Sequence, residues 1–256
     1  MRALPGWQHI DFISDLHLDE SRPHTVAAWQ NYMANTPADA VLILGDLFEL
    51  WVGDDMRNEP FEAFCTDTLR AAGQRLWLGL MVGNRDFLLG QDLLAACQGH
   101  ALPDPLLLEA FGQRHVLTHG DAWCLSDTDY LAFRQMVRMP AWQSRFLQAT
   151  LPQRLATARG IRAQSQARKG APTMETWADV DAGIAASHLQ DAQSLSLIHG
   201  HTHRPGSEPF ALPGATRHVL SDWDLDQAPE RAEVLRLSSQ GLTRLSLEQA
   251  CQALQP

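Results

Sequence analysis

Five short apolar runs along the chain each end in a polar or reactive residue: HIDFISD at 9–15, AVLILGD at 40–46, LWLGLMVGN at 76–84, HVLTHG at 115–120 and LSLIHGH at 195–201. Runs of this length closed by turn residues read as strands, and polar side chains at their C-terminal ends gather at one rim, where α/β folds place their sites. Between the early strands, Thr25–Ala34 and Phe61–Gly73 have helical patterns, so the first half reads βαβαβ. After His203 the runs RHVLSDW, AEVLRLS and LTRLSLE suggest a second, largely antiparallel sheet. The class is therefore α/β, with two packed sheets and helices outside. At 256 residues the chain exceeds the usual domain of roughly 100–200, which fits one domain over 1–256 carrying an insertion.

The strand pattern stops between Tyr130 and about Asp179. Tyr130, Phe133, Met136 and Val137, then Trp142, Phe146 and Leu147, recur at helical spacing, with Pro140 and Pro152 as breaks. Residues 130–179 thus read as a helical insertion. From Leu131 to Met174 there are eight basic residues (Arg134, Arg138, Arg145, Arg154, Arg159, Arg162, Arg168, Lys169) and no acid. The whole chain has a formal charge of −10, so this stretch is +8 and the rest −18. An acidic remainder argues against a general nucleic-acid binder, which must neutralise phosphates. The apolar runs are too short for a transmembrane helix, and MRALPGWQH lacks the apolar stretch of a secretory signal, so a cytoplasmic chain is expected. The four cysteines lie far apart without C-x-x-C spacing and read as reduced thiols.

Chemistry is concentrated in Asp15 and His17 of DLH, Asp46 of GD, Asn84, Arg85 and Asp86 of GNRD, His119 of HG, and His201 and His203 of GHTH. Each motif alone is weak, since an isolated Asp-x-His is more often a cap beside a surface histidine. Together they bring four histidines, two aspartates and an asparagine to strand ends that converge. Mixed imidazole and oxygen ligands suit Mn²⁺, Fe²⁺ or Zn²⁺ rather than a thiolate zinc site. Seven such ligands with one shared carboxylate fill four positions on each of two ions, the device used for in-line attack on phosphorus.

This ordered set resembles the calcineurin-like metallophosphoesterases, which implies a four-layer αββα sandwich with a helical lid insertion. The longer strings FISDLHL, GDLFELWVGDD, GNRDFLLG, HGDAWCLSDTDYLAFR and IHGHTHRP are similar to a branch of that family. That branch cleaves the pyrophosphate of UDP-2,3-diacylglucosamine to UMP and 2,3-diacylglucosamine 1-phosphate in lipid A synthesis. The match runs from about Phe12 to Pro205 and is weakest between Gln143 and His188. It implies one ion on Asp15, His17 and His203, a second on Asn84, His119 and His201, and Asp46 between them. The ions would be two Mn²⁺, with Fe²⁺ or Zn²⁺ as alternatives. Catalysis would fall to Asp46, Asn84, Arg85 and His119. Substrate would meet Asn84, Arg85, Asp127, Ser165, Lys169 and His201, although SQARKGAP departs from the family pattern and Arg168 is an alternative to Lys169. His199 stays outside the metal shell. The attacked phosphorus would be the one nearest uridine.

Two features add weight beside the resemblance. Many metallophosphoesterases have His after the Asn, where it can protonate an alkoxide; Arg85 cannot act as an acid and only stabilises charge. That suits a phosphoanhydride, whose leaving group is already a stable phosphate, better than a phosphomonoester. The basic, aromatic-rich insertion suits a ligand anionic at one end and apolar at the other, such as a diacylated UDP-sugar. It equally suits an anionic inner-membrane surface, giving a peripheral protein on the cytoplasmic face. The alternatives are a soluble pyrophosphatase of the same fold acting on nucleotide anhydrides, a metal-dependent nuclease, which the acidic remainder disfavours, and a non-catalytic scaffold, which would have lost ligands.

Overall fold

The computed structural model describes residues 1–169 and 178–252, the last six of the first span by their backbone alone. Strand β1 (Ile10–Ile13), helix α1 (Pro23–Asn35), β2 (Ala40–Leu44), α2 (Pro60–Gly73) and β3 (Trp77–Met81) form the expected βαβαβ unit. The chain continues through α3 (Gln91–Cys97), β4 (His100–Ala101), β5 (Leu106–Ala110) and β6 (Gln113–Thr118). Three helices follow: α4 (Thr128–Val137), α5 (Pro140–Leu147) and α6 (Leu151–Lys169). The last part holds α7 (Ala182–Asp191), β7 (Ser196–His199), β8 (Gly206–Pro209), β9 (Thr216–Val219), β10 (Glu233–Ser238), β11 (Gly241–Ser246) and α8 (Leu247–Cys251).

The strands form a six-stranded sheet in the order β11-β10-β1-β2-β3-β4 and a five-stranded sheet in the order β5-β6-β7-β9-β8. The reactive strand ends are therefore divided, β1 to β3 in one sheet and β6 and β7 in the other. Among the described residues the strands after His203 do not make the expected second, largely antiparallel sheet by themselves. β9 runs parallel to β7, while β10 joins the first sheet antiparallel to β1, pairing Ile10 with Leu237, and β11 adds antiparallel to β10. Alternating apolar residues reveal that a strand has one buried face, but not which of two sheets it will join.

Strand parity builds the layers. On β1 and β2, Ile10, Phe12, Ala40, Leu42 and Leu44 face inward to meet Leu108, Leu117 and Ile198 of the other sheet. Their alternates Ile13, Val41 and Ile43 pack outward on Trp29, Met33, Cys65 and Leu69 of the first helices. On the far side Val116 and Leu197 pack on Ala185 and Leu189 of α7. The order helix, sheet, sheet, helix puts two parallel strand rims side by side at one end. Among the described residues no helix is long and apolar enough to cross a membrane.

Helices α4 to α6 lie against that end. Pro140 occupies the first turn of α5, where its missing N–H costs nothing, and Asp127 caps α4 by accepting from Tyr130 N at 3.2 Å. Aromatic contact joins the segment to the body through Trp142, stacked on Phe146 at 4.8 Å and tilted against Phe87 at 6.3 Å. Four of its arginines also reach the body. Arg134 donates to Asp121 at 2.7 Å, and Arg138 to the Gly83 carbonyl at 2.8 Å while covering the Phe87 ring. Arg154 binds Asp55 and Arg162 binds Glu49.

Candidate metal centre

Immediately past the strand ends the backbone turns left-handed. Asp15 (φ 53°), His17 (47°), Asp46 (54°), His201 (65°) and His203 (52°) have positive φ, a conformation costing on the order of 1 kcal/mol each for L-residues. The loops are held there by each other. Asp15 N donates to Gly45 O (3.1 Å), His17 N to Asp46 O (3.0 Å) and Gly200 N to His119 O (3.0 Å). Two glycines are required by closeness: a Cβ on Gly83 would sit 2.1 Å from Asp46 Oδ1, and one on Gly200 would sit 2.3 Å from Asp15 Oδ2. The backbone is thus brought tight under the two aspartates.

The side chains converge in two sets. In the first, His203 Nε2 is 3.4 Å and His17 Nε2 4.0 Å from Asp15 Oδ1, and the two imidazole nitrogens are 3.3 Å apart. In the second, Asn84 Oδ1 lies 3.0 Å from His119 Nε2 and 2.9 Å from His201 Nδ1. Asp46 stands between them, its Oδ2 3.9 Å from His17 Nε2 and 3.7 Å from His119 Nε2. All seven residues expected from the sequence are brought together. Asp15, His17 and His203, and likewise Asp15, Asp46 and His119, present donor atoms close enough to hold one cation.

Electrostatics favour a cation. Asp15, Asp46 and His119 are buried. Burial opposes ionisation of Asp15, yet His203, His119 and His17 hold its carboxyl well below the usual range. Burial likewise disfavours charge on His119, but Asp46, Asp15 and Asp121 outweigh it and raise its pKa to about 9. For His201, burial and then His119 lower it to about 4. The carboxylates therefore favour positive charge at this point. Asp15 Oδ1 is buried with no hydrogen-bond partner among the described residues, which a metal ion would correct. Hard oxygens mixed with imidazoles fit a divalent ion of the Mn²⁺, Fe²⁺ or Zn²⁺ type.

The remaining expected residues sit around this centre. Arg85 N donates to Asp46 Oδ1 at 2.8 Å, and its side-chain Nε is buried with no hydrogen-bond partner among the described residues. Asp127 is at the start of α4, where it serves as the cap described above. The side chains of Ser165 and Lys169, and of the alternative Arg168, lie outside the described residues. His199 turns Nδ1 onto the Gly200 carbonyl at 2.8 Å, and burial lowers it to about 4.

Four acids that sequence reasoning left without a role support the site. Asp86 accepts from Gly83 N (2.7 Å) and Leu47 N (2.8 Å), pinning both metal-site loops; burial and then Asp46 raise it to about 6. Asp121 holds α4 through Tyr130 and Arg134. Glu49 lies 2.9 Å from His17 Nδ1, and Asp222 Oδ2 lies 3.7 Å from His203 Nδ1 while Arg231 donates to both oxygens of the same carboxylate. Asp222 ends the run RHVLSD, so the strand-end rule applied once more would have found it.

No family model matches the chain. Curated relatives do. A UDP-2,3-diacylglucosamine hydrolase of Bordetella pertussis is 42% identical over 236 residues, covering 90% of this chain and 91% of the relative. Its counterpart from Ralstonia nicotianae is 43% identical over 245 residues, 91% and 90% of the two chains. That of Xanthomonas oryzae pv. oryzae is 39% identical over 249 residues, 93% and 97%. Among solved structures, the phosphoesterase Yfce from E. coli aligns over 94% of each chain with a TM-score of 0.45 and 14% identity. An archaeal phosphodiesterase aligns over 93% and 98% with a TM-score of 0.46 and 10% identity. At such values the fold assignment rests on the sheet order and layers above.

Proposed function

The chain belongs to the UDP-2,3-diacylglucosamine hydrolases, and from that premise we propose that it cleaves the pyrophosphate of UDP-2,3-diacylglucosamine, a step of lipid A synthesis, at a two-metal centre. The observation that carries the reading is the convergence of seven ligand-type side chains from two sheets, five of them on left-handed backbone. In this reading Asp15, His17 and His203 hold one ion, Asn84, His119 and His201 the other, and Asp46 both. Two divalent ions there, Mn²⁺ in our reading, would acidify the attacking water and draw charge from the phosphoryl oxygens.

The protein's own residues then do the rest. Asp46 and Asp15 turn their carboxylates toward the positive charge, and the glycines beneath them let the backbone pack directly against the two side chains. Arg85, anchored through its backbone on Asp46, presents a guanidinium that stabilises the departing phosphate without a proton to give. Asn84 and His201 complete the phosphate contacts, with Asp127 at the entrance. Helices α4 to α6 form a lid whose exposed Met136, Met139 and Leu147, with nearby Leu125, receive acyl chains. The same basic, apolar face rests on an anionic inner-membrane surface from the cytoplasmic side. No protein or nucleic-acid partner is needed for this chemistry.

The test is turnover by metal-stripped protein offered UDP-2,3-diacylglucosamine or a dinucleoside polyphosphate. Release of UMP from the lipid on adding Mn²⁺, with the soluble anhydride cleaved far more slowly, supports the proposal. Faster cleavage of the soluble anhydride would transfer the site to nucleotide substrates. Membrane association is tested separately: liposome binding weakens with salt, and retention of binding after deletion of residues 131–174 would end that part.

A further inference from the structure

The histidines of the two sets are backed differently. His119 Nδ1 rests on the main-chain carbonyl of Leu44 at 2.9 Å, a fixed partner at the end of β2. His17 Nδ1 instead faces a side chain, the carboxylate of Glu49, whose Oε2 is 2.9 Å away. Among the described residues His17 Nδ1 meets no other hydrogen-bond partner, so this close approach of the carboxylate is its one polar contact there. The other oxygen of Glu49 is bound by Arg162 of α6, and Arg162 Nη1 also donates to the Glu49 main-chain carbonyl at 3.3 Å. Glu49 is itself placed by its own N–H, which donates to Leu18 O at 3.2 Å beside His17. The carboxylate is largely buried, with 18% of its side chain exposed. One residue thus joins a metal-ligand histidine of the two-metal reading to the helical segment.

Resting on the two-metal reading, we propose that Glu49 is a positioning residue that couples the ion on Asp15, His17 and His203 to the docking of α6. Arg162 holds the carboxylate against His17. The carboxylate fixes the ring so that Nε2 points to the ion and raises its strength as a ligand, a contribution typically worth about 10–100-fold in metal affinity. Thermodynamic reciprocity follows: if docking of α6 tightens that ion, the ion tightens the docking of α6 by the same factor. Loading the centre then prepares the segment that receives the lipid.

The experiment is titration of the metal-stripped full chain with Mn²⁺ by calorimetry, together with hydrogen exchange of α6. Wild type is compared with Glu49→Ala, Glu49→Gln, Arg162→Ala, Arg162→Lys and the Glu49→Ala/Arg162→Ala pair. The expected result is two ions in wild type, with one weakened about 10–100-fold in Glu49→Ala. Arg162→Ala should weaken the same ion several-fold, Arg162→Lys should restore part of that loss, and the double variant should match Glu49→Ala. Mn²⁺ should slow exchange in α6 of wild type but not of Arg162→Ala. Glu49→Gln, which keeps the shape and is the check against misfolding, should lose the slowing as well. Two tight ions in Glu49→Ala, additive losses, or unchanged exchange in wild-type α6 would overturn the coupling while leaving the two-metal reading intact. Failure of wild type to bind any Mn²⁺ would overturn both.

Discussion

The α/β body and the helical segment from α4 to α6 carry opposite charge, and each uses it in a different way. The body is −18 and concentrates buried carboxylates at a point that favours a cation. The segment is +8 across residues 131–174, which in sequence looks like a free basic face. In space Arg134, Arg138, Arg154 and Arg162 are already engaged with the body, so half of that charge holds the segment down over the centre. Arg145 and Arg159 are exposed with no ion-pair partner among the described residues. The charge split therefore sets a local electrostatic contact first and a ligand-facing surface second. Precision belongs to the body, where strained loops fix donor atoms, while the segment is attached through side chains that can release.

If that division holds, substitutions in the body should damage chemistry and substitutions in the segment should damage substrate capture. The largest effect is expected from Asp46→Asn, which weakens both ion sites at once: kcat should fall by at least about 10³-fold, checked by steady-state assay alongside Mn²⁺ titration. A near-normal kcat would remove Asp46 from the space between the ions. Next, Arg85→Ala should lose about 10²-fold on the anhydride, the usual cost of one charge-stabilising donor. Arg85→His should gain activity on simple phosphomonoesters, and unchanged anhydride turnover in Arg85→Ala would refute the leaving-group argument.

In the segment, Arg134→Ala leaves Asp121 fully buried with Tyr130 as its one remaining side-chain hydrogen-bond donor among the described residues. Removing one member of a buried pair should cost on the order of 3 kcal/mol in urea unfolding. It should raise KM for the lipid more than it lowers kcat; a pure kcat effect would blur the boundary between the two regions. The smallest change is expected from Arg145→Ala combined with Arg159→Ala. Stability should move by less than about 0.5 kcal/mol per site, while partition onto anionic liposomes should drop by about 1 kcal/mol per charge removed. Unchanged partition would deny these two arginines a role at a lipid surface.

Much of the body was legible because strand periodicity and strand ends are local signals. HIDFISD, AVLILGD and LWLGLMVGN place Asp15, Asp46 and Asn84 at a rim whatever the rest of the chain does. The assembly of two sheets was not, because β1 pairs with β10 across more than two hundred residues, and nothing local in EVLRLS names its partner. The seven ligand-type residues could be read from their types and order. Glu49 could not: an acid that backs a histidine has the same local sequence as a surface acid. The left-handed turns at Asp15, His17, Asp46, His201 and His203 were equally hidden, since only glycine announces positive φ and these residues adopt it under tertiary constraint. The arginine-rich segment was visible as a composition anomaly, but whether each charge faces the body or the ligand depends on docking.

The central claim, metal-assisted attack of water on the phosphorus nearest uridine, is tested most directly by hydrolysing UDP-2,3-diacylglucosamine with the Mn²⁺-loaded protein in ¹⁸O water and weighing the products. The account predicts one ¹⁸O atom in UMP and none in the 2,3-diacylglucosamine 1-phosphate. Label in the lipid phosphate, or no turnover of this substrate, would contradict it.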